Sequence, residues 1–259
     1  MRDPAALIIL PGDQGQICFR LLPHDTAAFG LPCYGYAPDA DPSSPVTEFA
    51  QLQTSAFLTM KIAAEDRQRW AVFLTAHHFA FVDTELRLTG SVRASNGGLA
   101  GDIAFSWDPA LTSCLDGALF VDLPSRFSMD PNLDKDRVAG FWRQYLEDML
   151  RIPGHRVLFP VVAGNPVGVC LFHEQAGRLD IQLIALDAAH RGGGIATSLL
   201  GHAAQEWGSR EFGTEVYAGA RRACNFYLRN GLSRVEQVSH VFHCWTKGRT
   251  QGGLIGNNL

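Results

Sequence analysis

The sequence predicts an α/β (α+β) chain of strands and helices, with a smaller α/β domain ahead of the larger part. Three observations around one stretch predict the larger part. Leu179, Ile181, Leu183 and Ala185 alternate with Asp180, Gln182, Ile184 and Leu186, the two-residue period of a strand with one face in the core. From Ile195 the period lengthens, and Ile195, Leu199, Ala203 and Trp207, with Ala196, Leu200 and Ala204 beside them, form the apolar stripe of a helix. Between the two lies Arg191-Gly192-Gly193-Gly194, where residues without a Cβ let the backbone turn sharply and let a ligand approach its N–H groups. Those amides stand at a helix N-terminus, where the dipole is positive and the first donors lack partners, so the turn suits an anion such as a diphosphate. A plain glycine connection that packs a helix on a strand is the competing explanation. A Walker loop needs a lysine and a hydroxyl residue after its last glycine, and here Ile195-Ala196 follow; the Gly-x-Gly-x-x-Gly dinucleotide fingerprint is also absent.

The other elements follow in order. Residues 5–10 and 16–22 read as strands around Pro11-Gly12-Asp13. Leu22 to Cys33 reads as a turn-rich segment, and Pro38 to Pro45 as a surface loop. Ser55 to Ile62 reads as a strand, Glu65 to Ala76 as a helix with Trp70, Phe73 and Leu74 inward, and Phe79 to Leu88 as another strand. Gly90 to Gly101 is the candidate linker, dividing an N-terminal domain, 1–95, from a second domain, 102–245, with a loose tail at 246–259. In the second domain Asp102 to Trp107 reads as a strand, and Asp108-Pro109 has the chemistry of a helix start. Asp134 to Met149 carries Val138, Phe141, Trp142, Tyr145 and Met149 at helical spacing. Val157–Val162 and Val167–Phe172 form a hairpin leading into the central strand. Glu215–Tyr217, a helix over Arg221–Arg229 stopped by Asn230-Gly231, and two last strands through Trp245 close the order.

Composition excludes several classes. The chain has 259 residues and a net charge of −4 without a basic run, which speaks against a nucleic-acid-coating protein. Ala5 to Leu10 is too short for a membrane span or a signal-peptide core, so the expectation is a cytoplasmic protein without a membrane partner. Cys18, Cys33, Cys114, Cys170, Cys224 and Cys244 lack Cys-x-x-Cys spacing and read as buried thiols, with no metal site expected.

Arg191 to Ala196 matches the Arg/Gln-x-x-Gly-x-Gly/Ala signature and thereby resembles the GNAT superfamily of acetyl-CoA-dependent N-acetyltransferases; the element order from Asp102 to Trp245 is similar to its fold, which implies a mixed, mostly antiparallel central sheet flanked by helices. Within it, the chain resembles the TDP-fucosamine (TDP-amino-sugar) N-acetyltransferases. Leu22-Pro-His-Asp-Thr-x-x-Phe-Gly-Leu-Pro is similar to that family's Trp-Asp-Ser-x-Phe-Phe-Gly opening, with His24 in place of the tryptophan. His78-Phe-Ala-Phe-Val-Asp83-Thr84 resembles its Gly-Phe-x-x-Val-Asp-Thr, Arg126-Phe127-x-x-Asp130 its Arg-Phe-x-x-Asp, and His243-Cys-Trp245 its His-x-Trp close.

The resemblance implies roles residue by residue. Arg191, Gly192, Gly193, Gly194, Ile195 and Ala196 would hold the coenzyme A pyrophosphate. A main-chain N–H near Ile184, Ala185 and Leu186 would stabilise the tetrahedral oxyanion, the pantetheine lying beside the strand; these residues are equally explained as core. Tyr227 falls at the family's general acid for the coenzyme sulfur, and expelling a thiolate needs a proton source. Its alternative is a core tyrosine beside Phe226. Ala220 stands where many relatives carry an asparagine, and Asn225 would project differently. No general base declares itself: His190, His173, Glu174, Asp130 and Asp180 are each as readily solvated or structural, and a water chain is an alternative. Arg126 and Asp130 are candidates for substrate contact, since a diphosphate suits a guanidinium fork and hydroxyls suit a carboxylate; a salt bridge at a helix start is the other explanation. The expected ligands are acetyl-CoA and a nucleotide-linked amino sugar in a cleft between the two domains, with the N-terminal domain on the acceptor side and a homodimer left open. Another amine acceptor, such as a peptide, or a non-catalytic coenzyme-binding module are the competing classes.

Overall fold

The computed structural model describes residues 7–12, 15–40, 47–48, 55–93, 103–208 and 211–246. The chain divides into two compact units, Met1–Val82 with His240–Leu259, and Asp83–Ser239. The division falls inside two strands and not at the glycine-rich segment, where 94–102 lies outside the described residues, as does the tail from residue 247.

In the first unit β1 (Leu7–Gly12) and β2 (Gly15–Leu21) form an antiparallel hairpin, and β3 (Cys33–Tyr36) runs antiparallel to β2. The short β4 (Thr47–Glu48) lies parallel to β1, and β5 (Ala56–Ala63) parallel to β3. Between β2 and β3 the expected turn-rich segment is a helix, α1 (Pro23–Phe29). Its first turn accepts Pro23 because the missing N–H would have had no partner there, and Gly30, at φ 69°, closes it by donating to Thr26 O. A 3-10 turn over Ala64–Asp66 leads into α2 (Arg67–Ala76), whose Phe73 and Leu74 pack with Ile8, Phe19, Leu58 and Met60.

The second unit takes residues 83–90 of β6 (Ala80–Gly90), then β7 (Ile103–Ser106). The helix start expected at Asp108 is two 3-10 turns, Pro109–Cys114 and Gly117–Phe120, each capped by the preceding aspartate. Asp134 caps α3 (Lys135–Met149) by accepting from the amides of Asp136 and Arg137. After it come β8 (His155–Val162), β9 (Asn165–Pro166), β10 (Gly168–Gln175), β11 (Arg178–Leu186), α4 (Ile195–Trp207), β12 (Glu211–Tyr217) and α5 (Arg221–Arg229). The two last strands expected are one, β13 (Arg234–Thr246), whose residues 240–246 belong to the first unit. The sheet order here is β6-β12-β11-β10-β8-β7, with β11 parallel to β12 and its other neighbours antiparallel.

One local irregularity shapes this sheet. Between β10 and β11 the register steps from Leu171↔Leu183 to Phe172↔Ile181, so Gln182 is an extra residue, a β-bulge. An added residue exchanges the faces of everything beyond it. Leu179 and Ile181 therefore pack with Leu199, Leu200, Ala203 and Tyr227 on one side. Leu183 and Ala185 pack with Phe120, Leu146, Phe159 and Leu171 on the other. The single core face expected of the strand is two half-faces. Cys33, Cys170 and Cys244 are buried and Cys18 and Cys224 half-buried, while Cys114 is exposed, against the expectation of burial.

Candidate active site

The bulge sits where the sheet opens. The parallel pairing of β11 with β12 runs from Arg178↔Glu211 to Ile181↔Thr214 and stops there. Beyond it β11 continues to Leu186 on the ladder with β10, and β12 continues to Tyr217 on the ladder with β6. Among the described residues the β12-facing edge of β11 from Gln182 to Leu186 therefore has no partner strand. The open edge begins two residues before the Ile184 expected from sequence and includes Ile184, Ala185 and Leu186.

The edge leads into the glycine turn. Arg191 Nε donates to Leu186 O at 2.8 Å and ties the turn to the strand end. Gly192 and Gly194 adopt φ of 85° and 83°, which side chains with a Cβ rarely do. The first hydrogen bond of α4 is Ser198 N to Gly194 O, and no side chain caps the helix, so the amides of Ile195, Ala196 and Thr197 lack intrahelical partners. These three residues line a cleft of about 380 Å³ bounded by Leu186, the turn and one side of α5, with Arg222, Asn225, Phe226 and Arg229. Among the described residues two guanidinium groups and no carboxylate line it, so side chains and helix dipole favour an anion together. Asn225 does reach this cleft, whereas Ala220 caps α5 without a side-chain bond.

Tyr227 lies at the vertex of the fork. It is 5% exposed, packs with Leu179, Ile181 and Phe212, and shares a hydrogen bond with Thr214, whose Oγ1 donates to Ile181 O at 3.1 Å. Both partners are the last residues paired before the strands part. Burial pushes its hydroxyl well above the usual tyrosine range, so it is a held proton and not a phenolate.

The other face of the fork is polar, and this the sequence reading missed. Tyr145 Oη on α3 donates to the bulged Gln182 Oε1 at 2.9 Å. Tyr217, at the end of β12, stands opposite Glu85 of β6, hydrogen-bonded to it, and Glu85 is 5% exposed. Burial first, then the Glu85 charge, raises the Tyr217 hydroxyl, while Arg126 opposes. Burial and Glu215 raise that of Tyr145, again against Arg126. Glu85, Arg126, Tyr145, Gln182, Glu215 and Tyr217 thus form one electrostatic group. The signal available in sequence was polar residues inside apolar strands, Gln182 and Glu85 above all.

Of the other predicted residues, Arg126 reaches this group and also stacks over the Phe127 ring at 4.4 Å. Asp130 is 6% exposed, and its Oδ1 organises its own loop by accepting from Asn132 N and Nδ2. Asp180 binds Arg87 at 2.6 Å and Arg178 at 3.0 Å, and stands opposite His173 in register, at the paired end of β11 away from the fork. His173 stacks on His155 with centroids 4.2 Å apart. His190 Nδ1 lies 3.3 Å from Asp187 Oδ2 in the turn after β11. Neither Asp180 nor His173 joins the fork. Among the described residues no group of His, Cys, Asp and Glu could hold a metal ion, and no helix is long and apolar enough to cross a membrane.

A sheet forked beside a bulged strand, with a glycine turn and helix at the mouth of the fork, is the GNAT fold, an open mixed sheet flanked by helices. Residues 121–232 match the model of the acetyltransferase (GNAT) family. The structure is similar to that of a GCN5-related N-acetyltransferase from Sphaerobacter thermophilus, at TM-score 0.57 and 17% identity over 92% of this chain and 79% of that one. It is also similar to a functionally unknown conserved protein from Staphylococcus epidermidis, at TM-score 0.59 and 12% identity over 88% and 90% of the two chains. At these identities the likeness is one of fold. No curated protein matches the sequence.

Proposed function

We propose that this protein transfers an acetyl group from acetyl-CoA to the amine of a nucleotide-linked (TDP) amino sugar by direct attack on the thioester. The observation that carries the reading is the coincidence of three features at one point: the end of the β11·β12 ladder, the Gln182 bulge and the Tyr227 hydroxyl. In this reading the pyrophosphate lies on the amides of Ile195, Ala196 and Thr197, with Arg222 and Arg229 balancing its charge. The pantetheine runs along the unpaired edge from Gln182 to Leu186, and a main-chain N–H of that edge takes the oxyanion. Tyr227 then gives its proton to the departing thiolate.

The acceptor side is the polar face. An amino sugar arrives as an ammonium and must lose a proton before it attacks. Glu85 and Glu215 favour the ammonium and can take that proton, directly or through water, while Arg126 suits the sugar diphosphate. The nucleotide part rests on the resemblance to TDP-amino-sugar acetyltransferases and on Arg126. In an assay of coenzyme A release against TDP-4-amino sugars, simple amines and peptides, the TDP-amino sugar is expected to give the highest kcat/KM. A preference for a peptide or an uncharged amine would reassign the acceptor while leaving the transfer intact; no release with any amine would leave only coenzyme binding.

A further inference from the structure

The first unit repeats the strand pattern that forms the fork. In the second unit β8, β10 and β11 are successively antiparallel, β12 then runs parallel to β11, and α5 follows. In the first, β1, β2 and β3 are successively antiparallel, β5 runs parallel to β3, and α2 follows. A cleft of about 440 Å³ lies at the corresponding place. It is bounded by Tyr36 at the end of β3, Lys61 near the end of β5, Asp66 at the N-cap of α2, and Arg69, Trp70 and Phe73 along α2. Asp66, Arg69, Trp70 and Phe73 have the same three-one-three spacing as Arg222, Asn225, Phe226 and Arg229 on α5. Nothing in the acetyl-transfer reading uses this cleft.

Its chemistry differs from that of the fork in the second unit. Among the described residues no helix lies between β3 and β5, so no row of orphan amides meets the cleft there. Two cationic side chains are present instead, and both are exposed. The wall is aromatic: Tyr36 meets Trp70 edge-on with centroids 5.4 Å apart, and the Arg69 guanidinium lies 5.9 Å from the Trp70 ring centroid. The charges of Arg69 and Asp66 both act on the Tyr36 hydroxyl, so the three groups converge. An aromatic wall suits a planar ring, paired cations suit a diphosphate, and a carboxylate suits a ring N–H or a ribose hydroxyl. The volume is in the range of small-molecule sites.

We propose that this cleft is a separate binding site for a nucleoside diphosphate, with Tyr36 and Trp70 against the base and Lys61 and Arg69 on the phosphates. That chemistry could come from a nucleotide sugar or from the ADP part of coenzyme A. The proposal rests on the first unit alone and stands whether or not the acetyl transfer does.

The test is calorimetric titration of the full chain with TDP, with coenzyme A and with inorganic diphosphate. It compares the wild type with Lys61→Glu/Arg69→Glu, whose side chains are exposed, and with Trp70→Leu, each checked for an unchanged melting curve. One equivalent of TDP is expected to weaken at least tenfold in both variants, while coenzyme A binding at the glycine turn persists and is lost only in Gly194→Val. A second equivalent of coenzyme A that disappears with Lys61 and Arg69 would support the site and assign it to the coenzyme. TDP affinity unchanged in both variants, absence of TDP and second-site coenzyme binding in the wild type, or inorganic diphosphate binding as tightly as TDP would overturn it.

Discussion

Coenzyme A binding is expected to disappear in a Gly194→Val variant that still melts cooperatively. Gly194 caps α4 at φ 83°, and a Cβ built there meets no other atom within 4 Å, so added methyl groups would extend into open space and not into packed protein. The backbone cost of a left-handed valine is about 1–2 kcal/mol, small against a domain stability of roughly 5–15 kcal/mol. The loss at the ligand is larger. Hydrogen bonds to a charged group contribute about 1.5–3 kcal/mol each, and shifting the turn removes two or three of them at Ile195, Ala196 and Thr197. Two such bonds alone amount to a weakening on the order of 10²–10⁴-fold. Gly193 has no positive φ and its Cβ position is also open, so Gly193→Ala should keep most of the affinity and serve as control. Unchanged calorimetric affinity in folded Gly194→Val would mean that the diphosphate lies elsewhere.

Tyr227→Phe is expected to lower kcat by about 10²-fold, the low end of the ordinary range for a lost general acid, because a coenzyme thiolate leaves tolerably without help. The structure adds a second effect. The tyrosine is buried and bonded to Thr214, so removing its hydroxyl also loses that bond, at a cost of about 0.5–1.5 kcal/mol in stability, while Thr214 keeps its bond to Ile181 O. The two effects separate in Thr214→Val, which breaks the same hydrogen bond and keeps the tyrosine hydroxyl. If Tyr227 acts on the thiolate, both variants lose stability, but only Tyr227→Phe loses most of kcat, with little change in the dissociation constant for coenzyme A. Equal losses of kcat in both variants would make the tyrosine a packing residue and leave the proton to water.

The strand–glycine–helix stretch was legible in sequence because its two periods differ and three glycines punctuate the change; the observed β11 and α4 bear this out. The bulge inside β11 was not. Ile184 and Leu186 are as apolar as Leu183 and Ala185, so the alternation fits either face beyond Gln182, and nothing local marks the exchange. The α1 helix escaped notice because seven residues behind a proline are too few for a stripe. Glycine richness suggested a division near residues 90–101, whereas the units divide within β6 and β13: residues 85–90 of β6 pair with β12, and residues 240–246 of β13 belong with the first unit. The polar face of the fork joins Glu85, Arg126, Tyr145, Gln182 and Tyr217, which are far apart in the chain and meet only through strand pairing and α3.

Amide hydrogen exchange on the full chain, measured with and without coenzyme A, tests the central claim most directly. An occupied fork engages the unpaired N–H groups of residues 182–186 and the orphan amides of Ile195, Ala196 and Thr197 together, so exchange at both stretches should slow while Arg178–Ile181, already paired with β12, changes little. Protection confined to other segments, with the β11 edge and the start of α4 exchanging as before, would contradict the assignment of the fork as the acetyl-CoA site.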